Sequence, residues 1–233
     1  MAEELADRLI FMKLDIRRVL VIGHGRMALG ATLPSGAEIV CCDLVDGSDV
    51  DVVADEDRLP VDAGSFDLVV ACGMLDTIHD LPGALILMRR ALRPGGLFLG
   101  AMLGGGSLGG FRQMLQTAEM ETSGRAVARF HPQIDVRSAG DLLFRAGFSM
   151  PVADQDNICV NYSSLDRLLE DLRATGSGNA LPHITPLPRS VYQLLLAKAD
   201  KTELLESFAP IYMTGWSPEV DEKRPAGPVK GFL

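Results

Sequence analysis

Short apolar runs alternate with polar, glycine-bearing turns through the first half of the chain. Residues 18–23 (RVLVIG) form an apolar run ending in glycine, the pattern of a buried parallel strand. Residues 26–33 suit a short helix, and residues 38–42 (EIVCC) a second strand ending at Asp43. A weaker third strand is predicted over 50–54 and a strong fourth over 66–72 (FDLVVAC). Apolar positions at helical spacing predict a helix over 80–92, stopped by the Arg93-Pro94-Gly95-Gly96 turn, with a fifth strand over 97–103. This β-α alternation predicts an α/β protein with a mostly parallel, doubly wound sheet.

The second half is less regular. Helices are predicted over 108–121, 138–146 (ended by Gly147), 165–174 and 191–199. Residues 148–152 and 157–162 read as extended, 175–188 as a loop, and 208–216 as a late apolar strand. The proline-bearing stretch 217–233 reads as irregular.

Composition narrows the classes. The chain has 233 residues, enough for one large domain or one domain with an insertion. Apolar residues make up 47%, too many for a disordered chain. With 22 Lys+Arg against 31 Asp+Glu, the net charge of −9 argues against a nucleic-acid partner held by bulk electrostatics. Cys41, Cys42, Cys72 and Cys159 form no CxxC pair, so no metal site is expected. No apolar stretch is long enough for a membrane span and no secretory signal is visible, so the expected location is cytoplasmic.

The chemistry starts at Gly23-His24-Gly25-Arg26-Met27-Ala28, between the first strand and a helix. Glycines there let a backbone approach a nucleotide-type ligand, and a helix N-terminus offers unpaired N–H groups. The alternative is a tight turn without a ligand. Asp43 lies twenty residues after Gly23 at a strand end, where a carboxylate can accept both hydroxyls of a ribose. Acids in the 54–60 loop (ADEDRLP) can accept from an adenine amino group, or they form a solvated loop. Gly23, Gly25, Ala28 and Asp43 alone also fit an NAD(P) oxidoreductase, but no Tyr-x-x-x-Lys or similar hydride-transfer set accompanies them.

The order GxG turn, strand-end Asp43, ADxxxLP loop, SFDLVV strand and LRPGG turn resembles a class I S-adenosylmethionine-dependent methyltransferase. Later motifs narrow the resemblance, among them Asp80-Leu81-Pro82, Arg145-Ala146-Gly147-Phe148, Val160-Asn161-Tyr162 and Gly215-Trp216. They are similar to the branch of the malonyl-carrier-protein methyltransferases and the respiratory complex I assembly factor, the latter more strongly. The resemblance implies one methyltransferase-like domain over 1–233, with a helical insertion at about 163–205, and a Rossmann-like seven-stranded sheet whose last strand is antiparallel. It implies S-adenosylmethionine as cofactor: Gly23 and Gly25 at the methionine part, Asp43 at the ribose, Asp55 and Glu56 at the adenine, and Cys72 and Gly73 near the sulfonium, with Leu44 also among the cofactor-binding residues.

The sequence departs from the family turn, acidic-x-Gly-x-Gly-x-Gly, at two places. Val21 stands at the acidic position and Met27 at the third glycine. Valine cannot accept from the cofactor's ammonium, and one such charge-assisted bond is worth about 1.5–3 kcal/mol. Weakened cofactor binding is expected. Thr77 stands where relatives commonly carry Trp, and only residues 1–17 precede the first strand, so the substrate side is expected to be more open.

Asp76, Arg112, His131 and Tyr162 are the substrate-pocket candidates, each with a plain structural alternative in surface or core packing. No catalytic nucleophile or base stands out. Methyl transfer needs mainly alignment, and proximity supplies much of its rate. The expected function is a methyltransferase acting on a small molecule or protein. The alternatives are a degenerate binding or assembly protein and a protein-arginine hydroxylase-like role in respiratory complex assembly. The oligomeric state is not legible.

Overall fold

The computed structural model describes residues 1–12, 14–23, 29–30, 32–33, 36–54, 58–177, 181, 185–201 and 203–219. A seven-stranded sheet has the order β3-β2-β1-β4-β5-β9-β6. Its strands are β1 (Arg18–Gly23), β2 (Glu38–Asp43), β3 (Val52–Val53), β4 (Phe66–Cys72), β5 (Leu92–Leu103), β6 (Ser149–Gln155) and β9 (Pro210–Trp216). β3, β2, β1, β4 and β5 pair in parallel, and β9 lies antiparallel between β5 and β6. Every residue of β4 is buried, as an apolar central strand covered on both faces must be.

The described residues hold six helices: α1 (Ala2–Ile10), α2 (Leu81–Ala91), α3 (Gly109–Ser123), α4 (Val136–Ala146), α5 (Leu165–Ala174) and α6 (Arg189–Ala199). On one face α2 and α4 pack on Leu20, Ile22, Val69, Phe98 and Met213. On the other, Leu5, Ala6 and Leu9 of α1 pack against Val19, Val21, Val70 and Leu99. Local chemistry sets the ends. Asp80 accepts from the Gly83 amide at 2.9 Å to start α2, and Asp135 from the Ser138 amide at 2.7 Å to start α4. Gly147 ends α4 in the left-handed conformation.

The remaining helices α3, α5 and α6 form a third cluster through Phe111, Leu115, Leu168, Leu172, Val191 and Leu195. A ribbon of β7 (Ile158–Tyr162) and β8 (Leu204–Phe208) closes the two ends of the segment carrying α5 and α6. This layer stands at the carboxyl end of β5: the Gly104 amide donates to Ala209 O and the Leu108 amide to Ser207 O. Leu108 leads into α3 in a left-handed conformation without a side-chain cap of its own. The buried carboxyl of Glu206 lies beside the start of α3 at Gly110 instead, and burial pushes it up.

Several boundaries differ from the sequence reading, among them β6, which runs on to Gln155, and β8, of which only Phe208 was expected to be extended. The 93–96 turn does not precede β5 but lies within it, because Leu92 already pairs with Phe66 and the register then slips before Leu68 pairs with Leu97. The late apolar run divides at Ala209 into the end of β8 and the whole of β9. Residues 2–10, read only as an acidic start, form α1. Most of the helix expected over 26–33 lies outside the described residues.

Candidate active site

The carboxyl ends of β3, β2, β1 and β4 meet at one edge of the sheet. Asp43 pairs with Val53, and Gly23 with Cys72. The strand order reverses between β1 and β4, and such a switch point leaves a crevice where open α/β sheets bind ligands. Gly23 has φ +72, and a Cβ there would lie 2.5 Å from Met74 Cγ and 3.0 Å from the Cys72 carbonyl oxygen. Only glycine meets both demands. Gly73 also has φ +73, its amide donates to Ala101 O at 2.9 Å, and the space beside its Cα is open. The backbone at Gly73 is therefore approachable, whereas the space beside Gly23 is filled by β4.

Asp43 takes up an Asx turn, its Oδ1 accepting from the Val45 amide at 3.2 Å. Beside it Leu44 and Val45 are 58% and 70% exposed, an apolar surface next to a carboxylate. Cys72 is buried, and burial pushes its thiol up. None of the four cysteines is in a disulfide. Gly25, Met27, Asp55 and Glu56 lie outside the described residues. Val21 is fully buried in the cluster under α1.

Just past Gly73, three of the four substrate-side candidates come together. Asp76 follows β4, Arg112 projects from α3, and His131 comes from the 124–135 connection. With Thr77 and Gln133 they line a small cavity of about 30 Å³. Its walls hold unsatisfied polar atoms: Arg112 Nε, His131 Nδ1 and Gln133 Oε1 are buried without a hydrogen-bond partner among the described residues. Buried orphans of this kind mark a place where a ligand or water completes the bonding.

Burial pushes the Asp76 carboxyl up, against the opposing pull of its own amide, the Leu103 amide and His131. Burial likewise lowers Arg112, whose guanidinium lies 4.5 Å from the centre of the Phe130 ring. His131 Nε2 stands 3.3 Å from His79 Nδ1, with the two rings stacked. His79 thus faces His131, and the cap of α2 is Asp80. A carboxyl, an imidazole, a guanidinium and an amide can between them bind both donors and acceptors of a small polar group.

Tyr162 lies apart, in an adjoining apolar cavity of about 280 Å³ that shares Leu103 and Ser177 with the polar one. Burial and a hydrogen bond to Asp171 push its hydroxyl up. Sequence reading missed Phe130 and Gln133. Nothing in their local pattern sets them apart, and only the fold of the 124–135 connection brings them to Arg112. Among the described residues, no group of three or more His, Cys, Asp or Glu is arranged to hold a metal ion. Among the same residues, no helix is long and apolar enough to cross a membrane.

Comparison with known proteins follows the same lines. Residues 21–100, from β1 into β5, match the methyltransferase domain. The chain has the class I methyltransferase fold. The chain is 36% identical over 183 residues to the arginine-hydroxylase NDUFAF5, mitochondrial, of Danio rerio, a match covering 75% of this chain and 57% of that protein. It is 33% identical over 176 residues to malonyl-[acyl-carrier protein] O-methyltransferase of Xylella fastidiosa, covering 72% and 57%. It therefore spans little more than half the length of these curated relatives. The solved phosphoethanolamine N-methyltransferase 2 of Haemonchus contortus, with bound S-adenosylhomocysteine, superimposes with a TM-score of 0.54 over 93% of this methyltransferase-fold chain and 52% of its own. At 14% identity that likeness concerns the fold.

Proposed function

We propose that this chain binds S-adenosylmethionine at the carboxyl ends of β1, β2 and β4 and methylates an acceptor whose reacting group enters the Asp76–Arg112–His131 pocket. The single observation that carries this reading is the position of that pocket. Its lining begins at Asp76, three residues beyond Gly73, past the carboxyl ends of β4 and β5 and beside the switch point between β1 and β4, and it holds three unsatisfied polar atoms. The methyltransferase relatives support it.

The residues fit the cofactor unevenly. Gly73 offers an open backbone approach, Asp43 a carboxylate for the ribose, and Leu44 and Val45 an uncovered apolar surface for the adenine. At the other end Val21 offers the ammonium no acceptor, which supports weakened affinity. When bound, the cofactor would supply an electrophilic methyl group. The chain's own part is to align the acceptor, to exclude water, and to satisfy the acceptor's polar atoms with Asp76, Arg112, His131 and Gln133.

A second reading, oxygen insertion into a protein arginine during respiratory complex assembly, is favoured by the higher identity to the arginine-hydroxylase relative. Mass spectrometry of a treated acceptor separates methylation from hydroxylation. The test is calorimetric titration with S-adenosylmethionine and S-adenosylhomocysteine. The expected result is saturable binding in the micromolar range. No heat at millimolar ligand overturns the enzyme reading and favours a fold retained as a binding or assembly module.

A further inference from the structure

The two cavities beyond β4 and β5 have opposite chemistry and meet at Leu103 and Ser177. The polar one has room for one or two water-sized groups and ends in Arg112, His131 and Gln133. The larger, at about 280 Å³, is close to the lower end of small-molecule sites. Its exposed walls are mostly hydrocarbon, with Asp171, Thr175 and Ser177 as the polar residues among them. The two-residue period of β7 puts Ile158, Val160 and Tyr162 on one face, and all three line the cavity with Phe208 of β8. Leu172 and Ala174 at the end of α5 form the opposite wall. Ile158 is half exposed although it faces other apolar side chains, as a residue does when its partner is a ligand and not the protein.

From this arrangement we infer that the larger cavity binds a hydrocarbon chain, straight or prenyl. That chain is the tail of the acceptor whose small polar head sits between Asp76, Arg112 and His131. The word acceptor rests on the methyltransferase reading; the chain site does not. The head must be small because its pocket is small. It must be able to hydrogen bond because it displaces water from three buried polar atoms that have no partner among the described residues. The tail leads away from the strand ends, beneath the β7–β8 ribbon, so that only the head approaches Gly73.

The test uses the full chain and a dansyl-labelled undecanoic acid as a fluorescent reporter, displaced by 1-decanol or by farnesol. Saturable reporter binding is expected, with displacement by at least one alcohol and none by ethanol. Stronger displacement by decanol assigns a straight chain, stronger displacement by farnesol a prenyl chain. Ala174→Trp fills the cavity from α5 and is expected to weaken reporter binding at least about tenfold. Val160→Phe fills it from the opposite wall, so misfolding of one variant leaves the test intact. Displacement by neither alcohol, or unchanged binding in a folded filling variant, overturns the inference. Parallel titration with S-adenosylmethionine keeps the two ideas apart. Chain binding without cofactor binding removes the methyltransferase reading alone, and cofactor binding without chain binding removes the chain site alone.

Discussion

Asp67 and Arg93 form an ion pair that joins β4 to the start of β5, with Asp67 Oδ1 accepting from Arg93 Nε. The second oxygen of Asp67 accepts from the backbone amides of Arg17 and Arg18, each at 2.8 Å, where the chain enters β1. One carboxylate thus fixes the relative positions of β1, β4 and β5. It also explains why the SFDLVV and LRPGG motifs occur together: one supplies the acid and the other its guanidinium. The two lie at the paired amino ends of β4 and β5, away from Cys72 and Gly73, so these motifs build the sheet at the end opposite the candidate site.

Replacing Asp67 should therefore destabilise the fold in a pH-dependent way. Burial alone would push this carboxyl up, but Arg93 and the two amides outweigh it and hold the group below the usual carboxylate value. A folded-state value below the unfolded one contributes stability above the unfolded value, and that stability is lost as pH falls through the folded one. Asp67→Asn is expected to lower unfolding free energy by about 2 kcal/mol at neutral pH, the scale of a charge-assisted bond. Urea denaturation should show the gap closing in acid, and a gap of equal size at about pH 3 would rule out the ionic part.

Glu119 and Arg129 make a second pair, at 2.6 Å, with side chains only 3% and 10% exposed. Glu119 also accepts from the Val127 amide at 2.9 Å, and Arg129 donates to Thr185 O at 2.6 Å. Together they pin the connection that presents Phe130 and His131 to Arg112. Glu119→Ala leaves a buried guanidinium without its anion, a change that costs about 3–5 kcal/mol. Denaturant titration reads the loss directly, and a change under about 1 kcal/mol would mean that water replaces the carboxylate.

Asp76 has the opposite sign. Its carboxyl is pushed up by burial, so the folded chain holds this proton more tightly than the unfolded chain. Stability from this group is complete below the ordinary carboxylate value and is lost as pH rises through the raised one. Asp76→Asn is then expected to be more stable than the parent at mildly alkaline pH, with the difference vanishing in acid. The same substitution should weaken acceptor binding if the head contacts this group. Thermal melts across pH check the first part, and an Asp76→Asn variant less stable than the parent at alkaline pH would contradict it.

The parts of this fold that were legible in sequence are those with one dominant signal. β1, β2 and β4 are buried apolar runs, and α2 and α4 carry their own caps in Asp80 and Asp135. β8 was hidden because Glu206 interrupts its apolar pattern, and the reason for an acid there, the uncapped start of α3, is a tertiary one. α1 was hidden because Glu3, Glu4 and Asp7 interrupt its apolar positions. Only Leu5, Ala6 and Leu9 mark its buried side. At the site, Asp76, Arg112 and His131 could be singled out by residue type, but their convergence depends on how residues 124–135 fold back. Tyr162 belongs to the neighbouring cavity because β7 pairs with β8 and faces α5.

Val21 supplies the sharpest test of the cofactor end. It lies opposite Cys41 on β2 and Val70 on β4, fully buried under Leu5 and Leu9 of α1. An acid there enters an apolar cluster, and an ionised carboxylate without a partner in such surroundings costs several kcal/mol. Val21→Asp is therefore expected to melt well below the parent when no ligand is present. A cofactor ammonium beside residue 21 would reverse part of that loss, because a ligand bound only by the folded state stabilises it by about 2.7 kcal/mol at a hundredfold excess over its dissociation constant. The thermal shift with S-adenosylmethionine should then be larger in Val21→Asp than in the parent. Val21→Asn, polar but uncharged, should show a smaller gain. Equal shifts in all three proteins would mean that the ammonium does not lie beside β1, and that the valine reports only the packing of α1.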